Sequence, residues 1–452
     1  MSAVPATPET VRAAVERELP GVLDDLAELV AIPSVSADPE RADQVWRSAE
    51  FVSRLLQEAG AAETKITEAG GGKPAVIAHF PGPEGAPTVC LYAHHDVQPE
   101  GEVDLWDSGD PFTVSRVGDR LYGRGVGDDK GGLAMHLAAL RAFGGRPPVT
   151  VKLFVEGEEE IGSPTLKELL ARHRDELASD VFVIGDSANW EVGVPAFTNT
   201  LRGLAEAYVE VATLDHALHS GSYGGLAPDA LMVLVRLLST LHDDQGNVAV
   251  AGLRTAEPPA VDYDEDRIRA EAALLPGVQF IGSGSLTERV WSKPSISIVG
   301  LDATPVSDAS NTLWPKAAAK ISMRVAPGQD AADAEQKLIK HLQDNAPWGA
   351  QVTVRPGESG DPSTVAFDGP YAEAARAAFT EGWGTDPVFS GQGGSIPMIA
   401  DFARAYPEAT ILVTGVLDPD SRPHGSNESL HVGDFAKACL GEALLLFNCA
   451  NA

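Results

Sequence analysis

Four short segments of this chain place carboxylates or imidazole at the end of an apolar run or in a glycine-rich loop. They are "HHD" at 94–96, "GRGVGDDKGG" at 123–132, "EGEEEIGS" at 156–163 and "IGDSANW" at 184–190. Singly, each has an ordinary structural explanation. Asp-Asp-Lys among glycines makes a turn, a run of glutamates makes a solvated face, and an aspartate after a strand caps a helix. Four acidic or imidazole endings in succession are a different matter, because converging acids are untenable without cations beside them. Zinc takes imidazole nitrogen and carboxylate oxygen, and manganese accepts the same donors. Two such ions about 3.5–4 Å apart share an anionic bridge, which one carboxylate supplies with its two oxygens.

The elements that must position these residues alternate. Helical periodicity covers roughly 8–30 and 40–59, the second stopped by Gly60. "PAVIAHF" (74–80), "TVCLYA" (88–93), "VTVKLFVE" (149–156) and "DVFVIG" (180–185) read as buried strands, with helices at 131–143 and 165–173 between them. That pattern predicts an α/β fold: a mixed, largely parallel sheet with helices on both faces. Ligands in such sheets bind beyond the carboxyl ends of the strands. Near residue 200 the texture changes. A period-two strand at 203–213, a helix at 226–243, strands at 295–300 and 316–326, a helix near 330–345 and a strand at 350–356 follow. Strand, helix, two strands, helix, strand is the order of a ferredoxin-like α+β unit. The α/β texture returns from about 361, with a strand at 409–416 and a last helix at 433–448. The predicted organisation is a metal-binding catalytic domain at 1–198 and 361–452, interrupted by an inserted lid or dimerisation domain at 199–360.

Composition sets the outer limits. The chain has 452 residues with 34 basic against 65 acidic side chains, a net charge of −31. Nucleic acid and anionic membrane surfaces are thereby poor partners. Cys90, Cys439 and Cys449 form neither a CxxC pair nor a spaced cluster, so no disulfide framework or cysteine zinc site is expected. There is no signal-like amino-terminal stretch and no run of membrane-helix length. A cytoplasmic, reducing setting is the expectation.

In order along the chain stand "YAHHDVQP", "LYGRGVGDDKGG", "EGEEEIGS", "ALHSGSYGG", "ISMRVAP" and "GGSIP". This ordered set resembles the di-metal peptidases that include carnosinase, aminoacylase, acetylornithine deacetylase and succinyl-diaminopimelate desuccinylase, and their dipeptidase branch most. The resemblance spans nearly the whole chain. It implies two divalent ions per chain, zinc first, with manganese or cobalt able to use the same donors. It assigns His94, Asp128 and Asp186 to one ion, and Asp128, Glu160 and His424 to the other. Asp96 would prop the metal-bound groups, Glu159 would be the general base, and Glu158 a bystander. His219 of "HSG" would reach a partner subunit's site and stabilise the oxyanion, which implies a homodimer formed through the inserted domain. Arg324, mid-strand in "ISMRVAP", would clamp the substrate carboxylate, with Thr312 in "NTLWP" and Gly394 and Ser395 in "QGGSIP" touching the same region.

The implied activity is hydrolysis of the amide bond of dipeptides or short peptides, carboxypeptidase-like in its grip on the carboxyl end. A water between the ions attacks the carbonyl, and Glu159 passes its proton to the leaving amine. The same machinery would deacylate N-acyl amino acids, and a non-catalytic metal- or peptide-binding member is the third alternative. Departures from the branch surround the chemistry without removing a member of it. Gln392 stands where relatives often carry Glu, His95 where Tyr or a small residue is common, Ala93 replaces Gly, and "RPHGSNE" is an altered last motif. They bear on substrate choice. His94 and Asp96, two apart in a strand, would face one side and His95 the other.

Overall fold

The computed structural model describes residue 5 and residues 7–394 and 397–452. They form two compact units. The first comprises Met1–Asn199, Val365–Ser390 and Asp401–Ala452; the second comprises Thr200–Thr364 and Gly391–Ala400. Gly391–Ala400 thus groups with the inserted segment, whereas its sequence texture had joined it to the returning α/β part. The physical reason is local: the Arg202 N–H donates to the Gln392 carbonyl at 3.2 Å, which stitches this stretch to the start of the inserted segment.

The first unit is built on a six-stranded sheet. Its strands run in the spatial order Glu63–Thr67, Ala75–Phe80, Thr150–Glu156, Thr88–His94, Val181–Ile184, Thr410–Val413. The last four pair in parallel, and the first two are antiparallel additions. Continuous apolar runs such as "VFVI" are buried at every residue, as a strand covered on both faces requires. The helix Lys130–Ala142 is buried at every residue but one, because it packs between the helices Pro8–Val30 and Val432–Cys449 as well as on the sheet. The predicted strand at 88–93 extends one residue further, to His94. The helix expected from 40 starts at Ala42, after a 3₁₀ turn capped by Asp38, and Gly60 follows it with φ of +103°.

The second unit has a four-stranded antiparallel sheet, in the order Ser295–Asp302, Lys316–Val325, Gly203–Ala212, Gln351–Gly360. Counted along the chain these are the second, third, first and fourth strands, the ferredoxin-like arrangement. The helices Ala230–Ser239 and Ala331–Asp344 cover the face carrying Ala205, Ala207, Val209, Ile321 and Met323. The first of these helices is shorter than its periodicity suggested, because Asp229 caps it at the Met232 N–H.

Candidate metal centre

Parallel strands deliver the functional side chains at their carboxyl ends. His94 is the last residue of Thr88–His94, and Asp186 lies two beyond Val181–Ile184. Glu159 and Glu160 open the 3₁₀ turn that follows Thr150–Glu156, and Asp128 lies two residues ahead of the helix Lys130–Ala142. His424 arrives from the loop after Thr410–Val413, with φ of +62°.

These residues make two donor groups that share one member. Ligand atoms of His94, Asp128 and Asp186 lie within 4.8 Å of one another, as do those of Asp128, Glu160 and His424. Asp128 turns Oδ1 to His94 Nε2 at 3.2 Å and Oδ2 to His424 Nε2 at 3.1 Å. His94 Nε2 is 3.7 Å from Asp186, and His424 Nε2 is 3.2 Å from Glu160. One carboxylate therefore faces two separate sites with its two oxygens, the geometry of a bridge.

The electrostatics fit a pair of cations. Burial raises the Asp186 carboxyl to about 7, and burial raises that of Glu159 well above the ordinary range. The cationic side chains nearby in the chain are spent elsewhere. Lys130 is buried and donates to the carbonyls of Leu29 and Ile32, while Arg124 pairs with Glu428 at 2.7 Å. Among the described residues, the two histidines are what offset the acids. Burial opposes protonation of His94, but Asp128 and Asp96 outweigh it and raise its pKa well above the usual value. Hydrogen bonds to Asp128 and Glu160 raise His424 to about 10. Soft ligands are absent among the grouped donors, so an ion of the zinc, manganese or cobalt kind suits the set.

A ring of hydrogen bonds holds His94, Asp128, Glu159 and Glu160 in place. Asp96 lies past the strand end rather than within it. Its backbone carbonyl accepts from His94 Nδ1 at 3.1 Å, with its carboxylate 3.4 Å from the same nitrogen, and that carboxylate accepts the backbone N–H groups of Glu159 and Glu160 at 3.2 and 3.1 Å. One residue thus orients a histidine and both glutamates. Asp129 accepts the His94 N–H at 3.1 Å. His95 turns away, donating Nε2 to the Pro74 carbonyl at 2.8 Å, and burial lowers its pKa to about 4. Glu158 is buried but is no ligand. Its carboxylate takes the N–H of Lys73 and both the N–H and hydroxyl of Thr165.

Three residues of this ring were not singled out in the sequence. Gln98, inside the first motif, donates Nε2 to Glu160 Oε2 at 2.8 Å and its N–H to Oε1 at 3.0 Å. Glu428, inside the last motif, accepts the N–H groups of Gly125, Gly127 and Asp128. Arg124 joins Glu428 to the Gly425 carbonyl, beside His424. The only sequence signal was membership of the quoted motifs.

The second unit holds the remaining predicted residues. His219 and Thr312 are register partners in a two-stranded ribbon. His219 is exposed, and its Nδ1 accepts the Gly221 N–H at 3.0 Å. Arg324 is the last residue but one of its strand, not mid-strand, and is half-buried. Gly394 is half-buried, and a Cβ added to it would meet none of the described residues within 4 Å. Ser395 lies outside the described residues.

The model of peptidase family M20/M25/M40 matches residues 90–446. The chain belongs to this peptidase family. It is accordingly a hydrolase, a metallopeptidase. A cysteinylglycine-S-conjugate dipeptidase of Corynebacterium striatum is 33% identical over 432 residues, covering 94% of each chain. The solved structure of human carnosine dipeptidase 1 matches with a TM-score of 0.80 at 25% identity over the whole of both chains. A dinuclear metal binding peptidase of family M20 from Bacillus subtilis shares the fold at a TM-score of 0.60, with 15% identity over 95% of this chain and 98% of its own.

Proposed function

We propose that the protein is a two-metal dipeptidase acting on short peptides with a free carboxyl terminus, cysteinylglycine-type dipeptides among them. The observation that carries this reading is Asp128, whose two oxygens face two different donor sets. His94, Asp128 and Asp186 would hold one ion, and Asp128, Glu160 and His424 the other. Bound there, the pair would acidify a water and polarise the scissile carbonyl. Glu159 is the base that takes the proton from that water and returns it to the leaving amine. Its half-buried carboxyl stands 3.9 Å from His94 Nε2, beside the donors that would hold the ions. Asp96 keeps His94 and the Glu159–Glu160 turn in register during both transfers.

In the same reading Arg324, Thr312, Gly394 and Ser395 take the substrate's carboxylate. His219 would donate from Nε2 to the oxyanion of a partner subunit's substrate. Its Nδ1 already accepts a backbone N–H, so the proton sits on Nε2, as a donor there requires. N-acyl amino acids form the second substrate class, because the same machinery would serve them and Gln392 is a neutral amide where the resemblance implies a Glu. The test assays the unaltered chain and its Glu159→Ala variant on cysteinylglycine, carnosine and N-acetyl amino acids after reloading with zinc, manganese or cobalt, the unaltered chain reading substrate choice and the variant the mechanism. The expected outcome for the variant is turnover lower by about 10²–10⁴-fold with two ions per chain retained. Full activity of that variant rejects the mechanism, and exclusive cleavage of N-acyl substrates rejects the dipeptidase reading.

A further inference from the structure

Arg202, just ahead of the strand Gly203–Ala212, is 7% exposed, and among the described residues no carboxylate pairs with it. Its guanidinium is spent on neutral oxygens instead. Nε donates to the Gly393 carbonyl at 3.1 Å, and Nη1 to the Lys293 carbonyl at 3.2 Å and Ser295 Oγ at 3.0 Å. Nη2 donates to none of the described residues. It sits against Gly393, where an added Cβ would lie 3.0 Å from it, while a Cβ added at the neighbouring Gly394 would meet none of the described residues within 4 Å.

A second guanidinium stands close by. Ser295 is the direct register partner of Arg324, so their side chains share one face of the sheet. That face is the one without helices, since Met323 and Val325 belong to the opposite, packed side. Arg324 likewise has no acidic partner among the described residues. Glu206, which lies diagonally across the sheet, is already paired with Lys320 at 2.9 Å. Burial first, and then Arg324, lower the Arg202 pKa to about 10. Two half-satisfied cations side by side are costly unless an anion joins them.

We propose that Arg202 and Arg324 form a paired-guanidinium seat for the substrate's carboxylate, in which Arg202 also fixes the Gly393–Gly394 segment and presents Nη2 to the anion. This rests on the carboxylate-binding reading above and adds Arg202 to it as a specificity-determining residue. A Lys at 202 keeps the charge but cannot reach the Gly393 carbonyl and an anion at once, because it lacks the planar fork.

The experiment measures kcat and KM for cysteinylglycine and for its carboxyl-terminal amide, using the metal-loaded full chain and its Arg202→Lys, Arg324→Gln and Gly393→Ala variants. The expected result is that Arg202→Lys lowers the acid-to-amide preference in kcat/KM by about tenfold or more, chiefly through KM for the acid. An unchanged preference in Arg202→Lys, with Arg324→Gln losing it, overturns the role of Arg202 and leaves the carboxylate reading standing. An unchanged preference in Arg324→Gln overturns the carboxylate reading itself. Should Arg202→Lys fail to fold, Gly393→Ala decides: its methyl displaces Nη2 without changing charge, and a retained preference there overturns the proposal.

Discussion

Each ligand histidine shares its proton with an acid in the metal-free protein, and this gives the site a definite pH behaviour. His94 and His424 both have raised pKa values, the latter about 10, so both carry protons near neutrality. Metal binding must displace those protons, so affinity rises with pH until His424 is neutral. The stability of the metal-free protein moves the other way. A histidine with a raised folded pKa contributes stability that is complete below its unfolded value, about 6.5, and is lost as pH rises through the folded value. Asp186, raised to about 7, and Glu159, also raised, have the same sign, because their ionised forms are the ones burial disfavours. Asp128, held below the ordinary carboxylate range, contributes only above its unfolded value of about 3.8 and stays constant in this window. Thermal unfolding of chelator-treated protein should therefore fall steadily from pH 6 to 10, while the metal-loaded protein stays level. A flat metal-free profile would contradict the paired geometry. The donors themselves were legible in the sequence because each ends a strand or opens a loop within a compact motif. Gln98, Glu428 and Arg202 were not, since what they hold depends on a partner far along the chain: Glu428 meets Asp128 across 300 residues.

At the scale of elements, the end of the strand Thr88–His94 is held from behind by a buried pair. His136 of the helix Lys130–Ala142 donates Nδ1 to Glu442 of the helix Val432–Cys449 at 2.8 Å, and Nε2 to the Tyr92 carbonyl at 2.9 Å. With both nitrogens donating, the ring is an imidazolium. Burial opposes that state, and the Glu442 charge overcomes it, raising the pKa. Removing one partner leaves an uncompensated charge, so Glu442→Leu should cost about 3–5 kcal/mol in urea unfolding. The double change His136→Leu with Glu442→Leu should cost clearly less, because neither charge remains. Equal losses would mean that the pair contributes packing alone. The elements were readable for a common reason: central strands are apolar throughout and the second unit's strands alternate, so the period separates the two sheets. Gly391–Ala400 defeated that reading, because a glycine-rich stretch carries no period and its attachment is made by the Arg202 guanidinium and backbone.

At the scale of the molecule, the proposed homodimer must overcome charge and bury apolar surface. Each chain carries −31, so two copies repel, and the repulsion is screened over a Debye length of about 10 Å at 0.1 M salt. The second unit offers what a partner would cover. Met232 and Val235 are 46% and 53% exposed and lie three apart on one helix face, and Val299 is 55% exposed on the edge strand Ser295–Asp302. An exposed apolar helix face, together with a strand edge that among the described residues pairs on one side alone, suits a two-fold contact with the same surface of a second copy. Light scattering should then report a dimer that tightens as salt rises from low to physiological strength, the reverse of an ion-paired interface. Met232→Glu with Val235→Glu should give monomers that keep their metal. Because His219 would serve the partner's substrate, those monomers should lose about 10²–10³-fold in kcat, the cost of one missing oxyanion donor. His219→Ala should lose as much while remaining dimeric. Mixing that dimer with the monomeric variant should restore nothing, since the variant cannot associate. Mixing His219→Ala with Glu159→Ala dimers should restore activity, because one site in each mixed dimer then has a working base and a partner's histidine. A fully active monomer would place the oxyanion donor within the chain's own site.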